Sequence, residues 1–165
     1  MTGASRRGRK PGGPREIRSY MDAVRRARGP HPYVVLLGLK PADPKTLHDK
    51  VQKGLPFPAF EKLMLLMALP QDTGARILSI PLRTLHRRKT AGRLDPDESD
   101  RVVRLSRLFG HALELFEGNE SAARQWLETP AIALAGESPL NMSRTEPGSL
   151  EVERLIGRLE HGVFG

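Results

Sequence analysis

The chain has 165 residues, no cysteine and a formal net charge of +8, with 38% hydrophobic and 5% aromatic residues. Without cysteine there is no disulfide framework, thiolate zinc site or cysteine nucleophile, and a reducing cytosol is the compartment expected. The longest apolar runs, Tyr33 to Leu37 and Leu63 to Ala68, fall far short of the ~18 residues of a membrane span, and so low an apolar fraction leaves part of the chain outside any packed core.

Residues 1–42 read as a basic, flexible arm and linker. Residues 1–28 hold nine basic groups against two acids, Glu16 and Asp22, and so account for about +7 of the net charge. An arginine-rich, acid-poor composition is compatible with a transit peptide, but no apolar stretch of the kind that a secretory signal needs follows it, and a flexible basic arm is the preferred reading. Such an arm either strengthens binding to a polyanion by releasing counterions or serves only as a solubilising tail. Gly12, Gly13, Pro14, Gly29, Pro30 and Pro32 interrupt the segment, which lacks sustained periodicity apart from a helical turn or two around Glu16 to Arg26. Tyr33 to Leu37 fits an isolated strand or a packed extended segment, and its pattern does not decide between them.

From Asp43 the punctuation is helical. An aspartate cap followed by Pro44 starts a helix that should end near Gly54. Pro56 and Pro58 separate it from a second helix, where Phe60, Leu63, Met64 and Met67 share a face. Two short helices follow, Pro70 to Leu78 and Pro81 to about Thr90, with only Ser79 and Ile80 between them. So tight a connection implies a helix-turn-helix within residues 43–94.

Asp95, Pro96 and Glu98 form a capping box that opens a long helix with Val102, Leu105, Phe109, Ala112, Leu113 and Phe116 at three- and four-residue spacing. Gly118 and Asn119 end it. A shorter helix from Glu120 to Glu128 carries the single tryptophan, Trp126, and Thr129 with Pro130 offers a further start. The stretch from Gly136 to Gly148 is rich in turn residues, and a last helix runs from about Pro147 to His161. Val152, Leu155, Ile156 and Leu159 make its apolar face, while Glu151, Glu153, Arg154, Arg158 and Glu160 occupy much of the remainder. Gly162 to Gly165 is an exposed apolar tip, and residues 95–165 read as a second helical unit.

In a DNA-binding helix-turn-helix, a small residue lets the second helix cross the first and an apolar anchor holds it. Ala75, Ser79, Ile80 and Leu85 can fill those places. The second helix then presents Arg83, Thr84, His86, Arg87, Arg88 and Lys89, with no acid between Asp72 and Asp95. Arginine pairs with guanine edges and lysine with phosphate, so this face suits a major groove. Ser79 stands where glycine is usual in the turn, and Arg88 where an apolar packing residue is frequent.

Catalytic chemistry finds no support. His31, His48, His86, His111 and His161 lack metal-ligand spacing, and Ser99 and Asp100 belong to a helix start rather than to a nucleophile and its orienting acid. Gly12 and Gly13 lack the lysine and hydroxyl residue of a phosphate loop.

The run Arg83 to Lys89, then Gly92 to Leu94 and Glu98 to Arg101, resembles the Xre/MbcA/ParS antitoxin family. Further matches follow in order: Ala123, Trp126, Leu127 and Pro130; Ala133, Leu134 and Gly136; Pro139 and Leu140; Thr145, Glu146 and Gly148. The close, with Val152, Leu155, Gly157, Arg158, His161 and Gly162, is similar to the family's end, and the resemblance spans roughly residues 44–165. It departs at Asn141 to Arg144, where an aspartate followed by apolar residues is typical.

The resemblance implies an all-α protein, a helix-turn-helix region followed by a small helical toxin-binding domain, that performs no chemistry, needs no cofactor or metal and stays cytoplasmic, away from the membrane. The implied partner is a RES-fold toxin that consumes NAD and resembles ADP-ribosyltransferases. Homodimerisation, hetero-oligomers with toxin and repression of a shared operator are implied as well. Toxin contacts are expected at Glu153, Arg154, Gly157, Arg158, His161 and Gly162, and a C-terminal helix with Arg154 and Arg158 is suited to plug a cleft shaped for an anionic dinucleotide. The competing class is a stand-alone helix-turn-helix transcription regulator.

Overall fold

In a computed structural model that describes residues 14–26 and 29–162, the helices begin where short-range chemistry starts them. Five carry a side-chain cap: α2 (Pro44–Lys53) by Asp43, α6 (Pro96–Leu115) by Asp95, α7 (Glu120–Glu128) by Asn119, α8 (Pro139–Met142) by Ser138 and α9 (Glu146–Glu160) by Thr145. Each satisfies an amide that the first turn would leave without a partner. The other four, α1 (Arg15–Arg25), α3 (Phe57–Met67), α4 (Gln71–Ile77) and α5 (Leu82–Ala91), start directly after a proline. Pro58 lies in the first turn of α3, so it is a helix starter and not part of a linker.

The long helix α6 is the axis of the fold. Val102, Leu108, Phe109, Ala112 and Leu113 on it are fully buried, and α2, α3, α7, α9, α1 and the turn Pro32–Leu37 all pack against it. One continuous apolar cluster runs from Ile17 to Ile156. Each Leu or Phe removed from water there contributes roughly 1.5–3 kcal/mol before the cost of ordering it. Among the described residues the sheet-like pairing is confined to one bridge, Pro56 to Arg93. There Leu94 N–H donates to Leu55 O at 2.9 Å and ties the entry of α3 to the exit of α5.

The segment expected as arm and linker contributes to this core over much of its described part. α1 buries Ile17, Tyr20 and Ala23, and Tyr33 to Leu37 forms a 3₁₀ turn, Pro32–Leu37, that buries Tyr33, Val34, Leu36 and Leu37. The run is neither strand nor extended, because Pro32 starts a turn and Gly38, at φ 71, stops it. Residues 1–13, 27 and 28, with much of the basic charge, lie outside the described residues. Pro130 starts no α-helix: Thr129 ends α7, and only a 3₁₀ turn, Ile132–Leu134, follows. The stretch Gly136 to Gly148 holds α8 as well as turns. Of the C-terminal tip only Gly162 is described, and it is exposed.

Candidate nucleic-acid and partner interfaces

The turn between α4 and α5 is held from three sides. Ile80 N–H donates to Ala75 O at 2.8 Å, Ser79 N–H to Arg76 O at 3.1 Å, and Arg101 of α6 donates Nη1 to Leu78 O at 2.9 Å. Ser79 adopts φ 54, the left-handed conformation in which glycine is usual, at a cost of roughly 1–2 kcal/mol for an L-residue. Ala75, Ile80 and Leu85 are all buried and supply the crossing residue and the anchors expected of them. Gly74 also matters: a Cβ there would stand 1.9 Å from Met64 Sδ, so the glycine lets α4 lie close on α3.

On α5, Arg83, His86, Arg87 and Lys89 are exposed and Thr84 is half-buried. None of the four exposed side chains has a hydrogen bond or ion pair within the described residues. Arg88 turns inward. Its Nε donates to Glu98 Oε2 at 2.8 Å and its Nη2 to Asp95 Oδ2 at 2.9 Å. The Glu98 hydrogen bond, opposed by desolvation, raises the guanidinium pKa above its ordinary value. A residue expected on the DNA face thus fills the packing place as an ion pair. Leu82, in contrast, is 49% exposed at the start of α5, where an apolar side chain can meet a thymine methyl. Its position at the helix start was the only sequence signal for it.

The C-terminal candidates separate in the same way. Glu153 accepts from Arg107 Nε at 2.9 Å, which ties α9 to α6. Arg154 is exposed and pairs with Glu151 on its own helix, while Arg158 is half-buried with no partner among the described residues. His161 Nδ1 lies 2.6 Å from Gly157 O, and Gly162 has φ 66. Nothing approaches within 4 Å of the place where a Cβ of Gly157 would stand. Leu127 is buried and Trp126 half-buried beside Phe116, as core residues would be. Ile132 is fully exposed at the tip of its 3₁₀ turn. It went unread in the sequence because a lone isoleucine in a loop has no periodicity.

Behind these surfaces α1 is keyed to α6. Tyr20 donates its hydroxyl to Glu114 Oε1 at 2.7 Å, and His111 Nδ1 lies 3.5 Å from Glu114 Oε2. The hydrogen bond with Glu114 raises the His111 pKa, and the same bond lowers that of Glu114; desolvation opposes both shifts. Burial pushes the Tyr20 phenol far above its ordinary value. No helix among the described residues is long and apolar enough to cross a membrane.

Both the helix-turn-helix and the helices that follow it match known domain families. Residues 46–107 match the antitoxin Xre-like helix-turn-helix domain, and residues 111–162 match the antitoxin Xre/MbcA/ParS C-terminal toxin-binding domain. The two matched segments meet inside α6. The chain is 39% identical over 129 residues to an Antitoxin Xre of Yersinia enterocolitica, an alignment covering 78% of this chain and 87% of that protein. It is 36% identical over 118 residues to an Antitoxin Xre of Photorhabdus laumondii, covering 71% and 80% of the two chains. An Antitoxin Xre of Pseudomonas putida is 34% identical over 84 residues, half of this chain and 52% of that one. The chain belongs to the Xre/MbcA/ParS antitoxin family, with an Xre-like helix-turn-helix domain ahead of a C-terminal toxin-binding domain.

Proposed function

We propose that this chain is the antitoxin of a type II toxin–antitoxin pair. Its C-terminal domain binds a RES-fold, NAD-consuming toxin and neutralises it by covering the active site, and its helix-turn-helix domain binds operator DNA and represses the pair. It works in the cytoplasm as a homodimer and in hetero-oligomers with the toxin, and it catalyses nothing itself. One observation carries the reading. The domain matched as toxin-binding and the helix-turn-helix share α6 and a single core, yet their solvent faces carry different chemistry.

The α5 face offers four exposed basic or imidazole side chains with no internal partner. That is the character of a surface that neutralises phosphates by releasing counterions. The α9 face mixes acid and base around Gly157, where the helix backbone is open to close approach. A protein partner exploits shape and charge together in that way.

The test is coexpression with the product of the adjacent gene. A stable complex is expected, together with NAD levels held up in cells where the neighbour alone depletes them, and the purified chain alone should leave NAD intact. A neighbour that neither binds the chain nor consumes NAD, combined with tight operator binding by the chain alone, would favour the stand-alone regulator.

A further inference from the structure

The corner between α8 and α9 rests against the helix-turn-helix. Ser143 and Arg144 lie beside Ile77 and Leu78 at the end of α4. The corner is tightly built: Arg144 N–H donates to Asn141 O at 3.2 Å, Ser143 Oγ donates to Leu140 O at 2.7 Å, and a Cβ at Gly148 would collide with Met142 O at 1.9 Å. Thr145 then caps α9 through Gly148 N–H. The backbone of Arg144 is therefore fixed, although its side chain is exposed.

Arg144 reaches a shallow open depression whose other walls are α4, the turn and the first residue of α5. Arg76, Ser79, Pro81 and Leu82 line it. The side chains of Arg76 and Arg144 make no hydrogen bond or ion pair among the described residues. Asp72 is the one acid on the rim, and its carboxylate accepts the N–H of Thr73 at 2.8 Å instead of meeting either arginine. Two unneutralised guanidinium groups thus flank the helix-turn-helix on the side where α4 and the turn lead into α5. When the second helix of such a motif enters a major groove, the first crosses the sugar–phosphate backbone. A guanidinium there meets the phosphate oxygens that its planar donors match.

We propose that Arg76 and Arg144 together hold a backbone phosphate of bound DNA, so that the toxin-binding domain supplies part of the DNA interface. The inference rests on the DNA-binding reading above and extends it to a residue outside the matched helix-turn-helix segment. Phosphate contacts position without reading sequence, so the pair strengthens specific and non-specific binding alike.

The test uses the full chain with two labelled duplexes, one from the region immediately upstream of its coding sequence and one of mixed sequence, titrated across salt concentrations. Arg144→Gln and Arg76→Gln should each weaken binding to both duplexes about fivefold at physiological salt and reduce the log–log salt slope by about 0.9. Arg144→Lys should restore the slope. Arg83→Gln combined with Arg87→Gln serves as the control for the α5 face. If the wild-type chain binds neither duplex, the DNA-binding reading and this proposal fall together. If the control variant loses affinity while Arg144→Gln keeps the wild-type slope, this proposal alone is overturned. Normal binding of both duplexes with lost toxin neutralisation would assign Arg144 to the toxin and equally overturn it.

Discussion

Glu98 Oε2 accepts two hydrogen bonds at once, from Arg88 Nε at 2.8 Å and from Asp95 N–H at 3.0 Å. The capping box that opens α6 therefore gains a third member from the preceding helix. The carboxylate is 4% exposed as a residue, so it depends on these donors. Beside the buried anchors Ile80 and Leu85, α5 is thus tied to the start of α6 by an ion pair where related motifs more often use an apolar contact.

Arg88→Ala should cost about 1–3 kcal/mol in urea unfolding, because Glu98 loses a charged partner in a site poor in water. The salt slope of DNA binding should not change, since the guanidinium is already engaged by Glu98 and Asp95. Arg87→Ala should do the reverse: stability within about 0.5 kcal/mol of wild type and a slope lower by about 0.9. A reduced slope for Arg88→Ala in a folded protein would place Arg88 on the DNA after all.

Removing residues 1–13 should leave the unfolding transition in place, whereas removing residues 1–32 should not. The longer deletion takes away Ile17, Tyr20 and Ala23, all buried against the core, and the hydroxyl that Glu114 accepts. It exposes apolar surface worth several kcal/mol at roughly 25 cal/mol per Å². Gly110→Ala probes the same joint with one atom, since its Cβ would lie 2.6 Å from Tyr20 Oη. A loss of about 1–3 kcal/mol is expected from that overpacking. Calorimetry of the three variants checks the order, and an unshifted transition for the longer deletion would mean that α1 adds nothing to the core.

These two regions also mark where the sequence was readable. Asp43 with Pro44 and Asp95 with Pro96 and Glu98 announced α2 and α6 because a cap is chemistry within four residues. Ala75, Ile80 and Leu85 were legible because the motif fixes their offsets. α1 was legible only as a helical turn or two around Glu16 to Arg26, and its burial not at all, since its apolar face holds few residues between stretches of Gly and Pro, and its partners, Glu114 and Gly110, lie some ninety residues away. Arg88 misled for a related reason. Charge in a basic run reads as surface, and the acids that claim it stand across a turn on another helix.

Stability should fall as pH rises through neutrality, and His111 should carry part of the fall. Its pKa in the fold is raised above the ordinary 6.5, chiefly by its hydrogen bond with Glu114. Its contribution is therefore complete below the unfolded value and is lost as pH climbs through the folded one. Glu114 has the opposite sign. Its pKa is held below the ordinary 4.5, so its contribution is present above that value and is lost as pH drops through the folded one. Both act together between 4.5 and 6.5. The His111 side chain is 39% exposed, so screening keeps the effect small. Urea midpoints followed from mildly acid to mildly alkaline pH should decline more steeply for wild type than for His111→Gln, in which the other four histidines are unchanged. Parallel curves would remove the pair from the pH response.

Gly157 offers the sharpest separation of folding from binding. It stands in the interior of α9, where glycine costs about 0.5–1 kcal/mol relative to alanine, and nothing within the described structure comes near enough to its absent Cβ to require it. The fold alone would be better served by alanine. A partner whose backbone or side chain lies directly on the helix would need the glycine. Gly157→Ala should therefore raise the unfolding free energy by about 0.5–1 kcal/mol and at the same time weaken capture of the toxin. The first effect is read by urea unfolding of the chain alone, the second by affinity for the neighbouring gene product. A variant that is more stable and neutralises as well as wild type would leave Gly157 outside the interface. One that loses stability would show that the helix depends on the glycine in a way its open surroundings do not reveal.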